Sequence, residues 1–492
     1  MENDTRIRVR YAPSPTGRLH VGGVRTALFN WLFARKDGGT FVLRIEDTDL
    51  ERSTEESVEQ LKGSMRWIGL DWDEGPEAGG PHPPYRQTER FDLYREAARK
   101  LLDSGAAYYD FATPEELAEL RERARAEGRQ PIYTGGEYRE MDLAEAREKI
   151  VAGEPYTVRF KTPREGQTVV QDMIRGPVTF ENANLEDFVL MKSTNTPTYN
   201  FAAAVDDAEM EISHVIRGDD HLSNTPRQIL IHEALGNPLP AFAHVPQVLG
   251  PDKKKLSKRH GAASVEDFAE RGYLPEALFN YLALLGAGYA ADEEIFTPEE
   301  LAERFRIDRV SGNPAILDEK KLRAVNSVYM RRKSPEELAA LAASMLVESG
   351  VVTEEELDMQ RLQEIMDLLK ERIALTTEIP DATGYFYGGS LDYDEAEFEK
   401  QFGKEFVKEN FPILVERLAA LPEWTETAIE EAVRGLAAEK EKGARHLIHP
   451  LRFAVTGRTV SAGLFETMQL LGRDRSLLRA EDVTQKMQRL PV

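Results

Sequence analysis

The chain contains no cysteine among its 492 residues. Disulfides, thiolate zinc sites and cysteine nucleophiles are therefore excluded. It also lacks any run of 18 apolar residues, so no membrane span is expected. The opening text, MENDTRIRVRYAP, lacks the apolar stretch of a secretory signal. A cytoplasmic location is the default expectation. Positive charge is scarce: 63 Lys and Arg stand against 86 Asp and Glu, for a net charge of -23. That balance argues against indiscriminate coating of nucleic acid. Charge acts locally, however, and a basic strip on an acidic body can still bind one RNA. Repeats and low-complexity tracts are absent. What remains is the composition of an ordinary globular protein, long enough for about two to four domains.

Residues 6–12, RIRVRYA, alternate apolar and basic, which predicts a strand. The loop PSPTGRL follows. Val24, Leu28, Trp31 and Leu32 then recur at helical spacing until Gly38 and Gly39 stop them. TFVLRI, residues 40–45, reads as a second strand. This opening suits a doubly wound nucleotide-binding sheet. From about residue 106 the text turns α+β, with a capping box at Thr113 and Glu116. Strand text returns at 187–192 and 212–221, with helical text between them. From about residue 264 nearly everything reads as helix, with further capping boxes at Thr297/Glu300 and Ser334/Glu337. The expected class is α/β: a Rossmann-type doubly wound parallel sheet carrying an α+β insertion, followed by an all-helical C-terminal half.

Three stretches carry chemistry. PSPTGRLHVGG, residues 13–23, leaves a strand, turns on two prolines and Gly17, and enters a helix. Gly22 and Gly23 let a ligand approach the backbone, and free N–H groups at a helix start suit phosphate. His20 adds a donor at the same place. Glu46 and Arg217 each follow a predicted strand, where open parallel sheets bind ligands. Together they could hold the ammonium and the side-chain carboxylate of an amino acid. Finally, PDKKKLSKRHG packs five Lys and Arg into residues 253–259 of an acidic chain. Lysines on a Gly- and Pro-bounded loop can stabilise a polyphosphate in the transition state. Each stretch also has an ordinary reading, as a turn, a surface ion pair or a solvated charge run.

Taken together and in order, they resemble the two signatures of class I aminoacyl-tRNA synthetases. The wording of PSPTGRLHVGG, RIEDTD, PTYNFAAAVDD, VIRGDDH and KLSKRHG is similar to bacterial glutamyl-tRNA synthetases over nearly the whole chain. The resemblance implies that ATP lies between the signatures. His20, Gly22, Gly23 and Asp220 would then contact ATP, and Lys255, Ser257, Lys258 and Arg259 would form the mobile catalytic loop, with Lys258 on the leaving pyrophosphate. It further implies a glutamate pocket of Arg10, Ala12, Ser14, Glu46, Tyr199, Ala203 and Arg217. Arg10 and Arg217 would hold the side-chain carboxylate and Glu46 the ammonium. Ala203 replaces an asparagine found in some relatives, which puts its contact in doubt. ATP would enter as substrate with Mg2+. Some relatives carry zinc in the insertion; YYDFATPEE and YTGGEYRE offer no thiolates, so no zinc is expected.

The implied division is 1–105 and 191–250 as two halves of the catalytic domain, 106–190 as an inserted acceptor-stem domain, 251–333 as a stem-contact region with the Lys-x-Ser-Lys loop, and 334–492 as an anticodon domain. VNSVYMRRK (325–333) and ARHLIHPLRFAVTGR (444–458) interleave arginines with aromatics, as stacking on unpaired bases requires. Arg331, Arg372, Arg445 and Arg452 are the expected tRNA contacts. The expected partners are the glutamate tRNA, L-glutamate and ATP, with no membrane and a monomeric chain. A glutaminyl-tRNA synthetase would end in β-barrels, and a shortened paralogue or a small nucleotidyltransferase would lack the helical domain. Whether the glutamine tRNA is charged as well stays open.

Overall fold

The computed structural model describes residues 6–15, 17–49, 53–257, 263–289, 293–389 and 391–488. Two compact units result. One comprises residues up to 268 together with 278–319, the other 269–277 together with 320 onward.

The first unit holds the strands β1 (Arg8–Tyr11), β2 (Thr40–Leu43), β3 (Ala107–Asp110), β4 (Thr157–Phe160), β5 (Gln167–Asp172) and β6 (Gly176–Glu181). It continues with β7 (Val189–Met191), β8 (His214–Gly218), β9 (Ala241–Val245), β10 (Val248–Leu249) and β11 (Ala315–Ile316). The main sheet has the order β2-β1-β8-β9-β5-β6. Its pairs are parallel from β2 to β5, and β6 closes the edge antiparallel to β5. The chain winds from β1 through the helix Val21–Lys36 to β2 on one side, and from β8 through the helix Thr225–Leu235 to β9 on the other. The switch of direction falls between β1 and β8, and it opens a crevice at the carboxyl ends of the strands.

β1 alternates apolar and basic residues, a pattern that would suit a strand with one solvated face. All four of its residues are buried instead, because both faces of a parallel sheet are covered by other elements. The two arginines are matched inside. Arg8 donates to Glu74 at 2.7 and 3.0 Å, and Arg10 donates to Asp207 at 3.0 and 3.3 Å. In the helix Val21–Lys36, Val24, Leu28 and Leu32 are buried, as the spacing predicted, whereas Trp31 is half-buried and donates to Asp71 at 2.6 Å. The segment 106–190 divides between two sheets. β3, β4 and β7 form an antiparallel sheet of their own, while the β5–β6 hairpin extends the main sheet.

Among its described residues the second unit holds helices joined by loops and no strand. The box at Ser334 and Glu337 starts the helix Pro335–Glu348, and the boxes at Thr113/Glu116 and Thr297/Glu300 form likewise in the first unit. Leu346, Ile365, Phe386, Phe402, Leu414 and Leu447 are fully buried in its core. Arg479, 1% exposed, donates to the carbonyls of Gly389 at 2.9 Å and Val455 at 2.6 Å, and burial lowers its pKa to about 10. That arginine satisfies a carbonyl in the last turn of the helix Arg445–Thr456 and a loop carbonyl, which the apolar core would otherwise strand.

Candidate active site at the strand ends

A cavity of about 590 Å³ opens at the switch point. Its walls include Arg10, Ala12, Ser14, His20, Gly22, Gly23, Glu46, Tyr199, Arg217, Asp220 and Lys255. Eleven of the residues singled out in the sequence thus meet in one place. Ser257 lines an adjoining cavity of about 780 Å³ with Lys255, His20 and Arg18. Ala203 is buried inside the helix Tyr199–Glu209 and is not part of the wall. Lys258 and Arg259 lie outside the described residues.

Local sequence explains the frame. Pro13 accepts the backbone N–H of Glu46 at 3.0 Å, which joins the first loop to the end of β2. Gly22 donates its N–H to His20 Nδ1 at 3.0 Å, so His20 is the N-cap of the helix Val21–Lys36. With Nδ1 accepting, Nε2 carries the proton and donates to Leu256 O at 3.0 Å. Burial lowers the pKa of His20, and the nearby Lys255 charge lowers it further. A Cβ on Gly23 would stand 2.8 Å from the Tyr11 hydroxyl. Close packing on β1 therefore requires that glycine, whatever ligand it meets.

The second signature is pinned on both sides of its undescribed centre. Gly250 and Lys254 close a turn at 2.9 Å, with Lys253 at a φ of 59°. After the loop, Ala263 accepts from Val21 N at 2.9 Å, and Leu19 accepts from Val265 N at 3.1 Å. Asp267 accepts from the backbone N–H groups of Ala263 and Ser264, which fixes this return segment. Both flanks of the loop thus lie on the first signature.

The floor of the cavity is a buried charge network that sequence reasoning missed in part. Arg44, fully buried, donates to Asp207 at 2.7 Å and to Glu46 at 3.0 Å. Asp207 also holds Arg10 through Nε and Nη2. Burial opposes ionisation of Asp207, but the two guanidiniums outweigh it and hold its pKa below the usual carboxylate range. Burial pushes the carboxyl of Glu46 up, against the pull of Arg44. Asp206 joins the same network: it accepts from Arg90 at 2.7 Å, Gln87 at 2.8 Å and Tyr94 at 2.9 Å, and Arg44 Nε lies 3.7 Å away. Two aspartates closing an otherwise apolar helix, FAAAVDD, were the signal that could have found this network.

Arg217 differs from the other two guanidiniums. It is 5% exposed, and no carboxylate pairs with it among the described residues. Its partners are neutral: His244 at 3.2 Å, Thr225 at 2.7 Å, the His221 carbonyl at 3.4 Å and the Tyr199 hydroxyl at 3.5 Å. Burial accordingly lowers its pKa. Across the floor, four guanidiniums, Arg10, Arg44, Arg90 and Arg217, face three carboxylates, Glu46, Asp206 and Asp207, which leaves one positive charge unmatched. A buried unmatched charge is costly, and it is relieved by an anionic ligand.

In the helical unit, Arg372 and Arg445 are exposed. Arg331 donates to Ser327 at 2.6 Å and lies 3.6 Å from Glu371. Arg452 donates to Ser461 and the Ala462 carbonyl, and its pKa is lowered by burial and then by the charge of Arg372. The arginine-and-aromatic reading of 444–458 is corrected in one respect. Phe453 is 2% exposed and packs on Tyr393 and Phe402, so it serves the core and is closed to stacking.

A parallel sheet with a ligand cavity at its switch point, a histidine-capped helix start and a lysine loop pinned against it define a nucleotide-activating synthetase of class I. Residues 6–324 match the family "tRNA synthetases class I (E and Q), catalytic domain", and 337–483 match "Anticodon binding domain". Glutamate–tRNA ligase 2 of Rubrobacter xylanophilus is 78% identical over 490 residues, covering 99% of both chains. The glutamate–tRNA ligase of Moorella thermoacetica is 48% identical over 478 residues, covering 97% of both. A crystal structure of a glutamate tRNA ligase from Elizabethkingia meningosepticum, in complex with its amino acid, superposes with a TM-score of 0.90 at 33% identity, covering 98% of this chain and 100% of that one. The chain belongs to the glutamate–tRNA ligase family of class I synthetases.

Proposed function

We propose that this ligase selects glutamate by charge at Arg217. The observation that carries this reading is a buried guanidinium whose hydrogen-bond partners among the described residues are all neutral. Glutamate at neutral pH brings one net negative charge to a floor with one positive charge in excess. Glutamine brings none and leaves the excess buried. Discrimination that rests on an unmatched polar group reaches about 10⁴–10⁵. Glu46 holds the ammonium, Arg217 and Nη1 of Arg10 take the side-chain carboxylate, and Tyr199, Ser14 and the Ala12 backbone complete the pocket.

ATP enters along Gly22, Gly23, His20 and Asp220. The glutamate α-carboxylate attacks the α-phosphorus, the bond to the bridging oxygen breaks, and pyrophosphate leaves. Lys255, Lys258 and Arg259 neutralise that leaving group, with Ser257 beside them. The terminal adenosine of the tRNA then attacks the adenylate carbonyl through its 2′-hydroxyl and releases AMP. Positioning and electrostatics supply the catalysis. Among the described residues no group of three His, Asp or Glu side chains is arranged to hold a metal. Mg2+, where it accompanies ATP, would screen phosphate charge, while the residues named above bind and orient the substrates. Arg331, Arg372, Arg445 and Arg452 offer cations to the tRNA from the helical unit. The enzyme acts as a cytoplasmic monomer, and no described helix is long and apolar enough to cross a membrane.

The test is amino-acid-dependent ATP–pyrophosphate exchange, run with tRNA present, for the parent and for Arg217→Ala. The parent should strongly prefer glutamate. The variant should lose most of that preference, chiefly through a higher KM for glutamate. Full preference retained by Arg217→Ala would place the carboxylate elsewhere.

A further inference from the structure

Arg217 is held by a chain of groups that begins in another part of the sequence. Asp172 ends β5 and His244 lies in β9, the strand between β5 and the strand of Arg217. Asp172, His244 and Thr225 are all 5% exposed or less. One carboxylate oxygen of Asp172 accepts from the backbone N–H of His244 at 3.0 Å and from Nδ1 at 2.6 Å. The other accepts from the N–H groups of Ile174 at 2.9 Å and Arg175 at 2.8 Å. With Nδ1–H committed to Asp172, His244 Nε2 is left as a lone-pair acceptor. It faces Arg217 Nε at 3.2 Å and the Thr225 hydroxyl at 3.0 Å, and that hydroxyl also accepts from Arg217 Nη2 at 2.7 Å. One edge of the guanidinium is thereby clamped, and Nη1, beside Tyr199, is left toward the cavity.

Resting on the reading of Arg217 given above, we infer that Asp172 and His244 are positioning residues for amino-acid selection: they fix the arginine without neutralising it. A carboxylate in the place of His244 would orient Arg217 equally well, but it would cancel the charge that the substrate must meet. The neutral imidazole passes on orientation alone. The charge of Asp172 is taken up by four N–H groups, one residue removed. In Asp172→Asn the amide NH2 must face one of the two donor pairs. Turned to His244, it forces the other tautomer and presents Nε2–H to a guanidinium that has nothing to accept it. A histidine held in the wrong tautomer by an Asp-to-Asn change is a known route to lost function with intact geometry.

The experiment measures KM for glutamate and for ATP separately, by pyrophosphate exchange with tRNA present, in Asp172→Asn, His244→Gln and Arg217→Ala, alongside thermal melting. Asp172→Asn should raise the glutamate KM about tenfold or more and leave the ATP KM within about twofold. His244→Gln should retain most of the glutamate affinity, because the amide oxygen can accept from Arg217 Nε without help from Asp172. On that background Asp172→Asn should add little. A glutamate KM left unchanged by Asp172→Asn, while Arg217→Ala raises it, overturns the relay and spares the pocket. An unchanged KM in Arg217→Ala overturns the pocket itself. Parallel rises for glutamate and ATP with a lowered melting point would mark a merely structural pair and also overturn the inference. Should Asp172→Asn fail to fold, His244→Leu against His244→Gln decides: equal effects of the two contradict the relay, and a raised glutamate KM in His244→Leu alone supports it.

Discussion

At the scale of single residues, function follows from which buried charges are matched. Arg10 and Arg44 have carboxylate partners, and among the described residues Arg217 has none. Glu46 shares Arg44 with Asp207, yet burial still raises its pKa. An acid whose pKa is raised gains its proton sooner as pH falls, and a protonated Glu46 cannot balance an ammonium. The glutamate KM should therefore climb as pH drops toward the raised value. Glu46→Gln should remove that dependence and lift KM at neutral pH by about tenfold to a hundredfold, the worth of a hydrogen bond to a charged group. ATP binding should be little changed; equal losses for both substrates would count against the ammonium role. Glu46 was readable as a charge just past a strand, and it lies beyond the end of β2; Arg217 was expected after its strand and instead lies inside β8, one residue from its end. Arg44, Asp207 and His244 were not readable, since their roles depend on partners about 20 to 200 residues away that only the folded sheet brings near.

At the scale of elements, the helix Val21–Lys36 and the lysine loop are coupled through His20. One ring nitrogen caps the helix and the other holds Leu256 O. The cap and the phosphate role can be separated by substitution. Asparagine is among the best N-caps, and alanine forfeits about 1 kcal/mol there. His20→Asn should melt close to the parent while kcat for adenylate formation falls about a hundredfold. His20→Ala should lose both stability and turnover. Calorimetry beside pyrophosphate exchange checks this, and full turnover in His20→Asn would confine His20 to a structural role. Element boundaries were readable wherever capping boxes or glycine stops marked them, as at Thr113, Thr297 and Ser334. The β5–β6 hairpin was readable as strand text, but its pairing with β9 was not. A one-residue contact, Asp172 with Phe242, carries that register, and local pattern holds no trace of it. Residues 269–277 pack with the helical unit, where Leu274 N donates to Asn326 at 2.8 Å. Nothing in their composition marks the boundary, which falls inside the helix Val265–Glu270.

At the scale of the whole molecule, five histidines in the first unit, His20, His214, His221, His232 and His244, have pKa values lowered chiefly by burial, His221 to about 4. The unfolded chain takes up those protons near pH 6.5 and the folded chain does not. Their contribution to stability is thus fully present above about pH 6.5 and is lost as pH falls below it. Melting temperature should drop between about pH 7.5 and about pH 5.5, before the carboxylates titrate; a flat profile would contradict the buried neutral imidazoles. The central claim is that one unit chooses the amino acid by charge while the chain as a whole delivers it to tRNA. The most direct measurement is aminoacylation of the glutamate tRNA by the full chain, with glutamate and glutamine compared by kcat/KM. The account predicts charging with glutamate and a disadvantage for glutamine of about 10⁴ or more. Charging with glutamine at a comparable kcat/KM would contradict it.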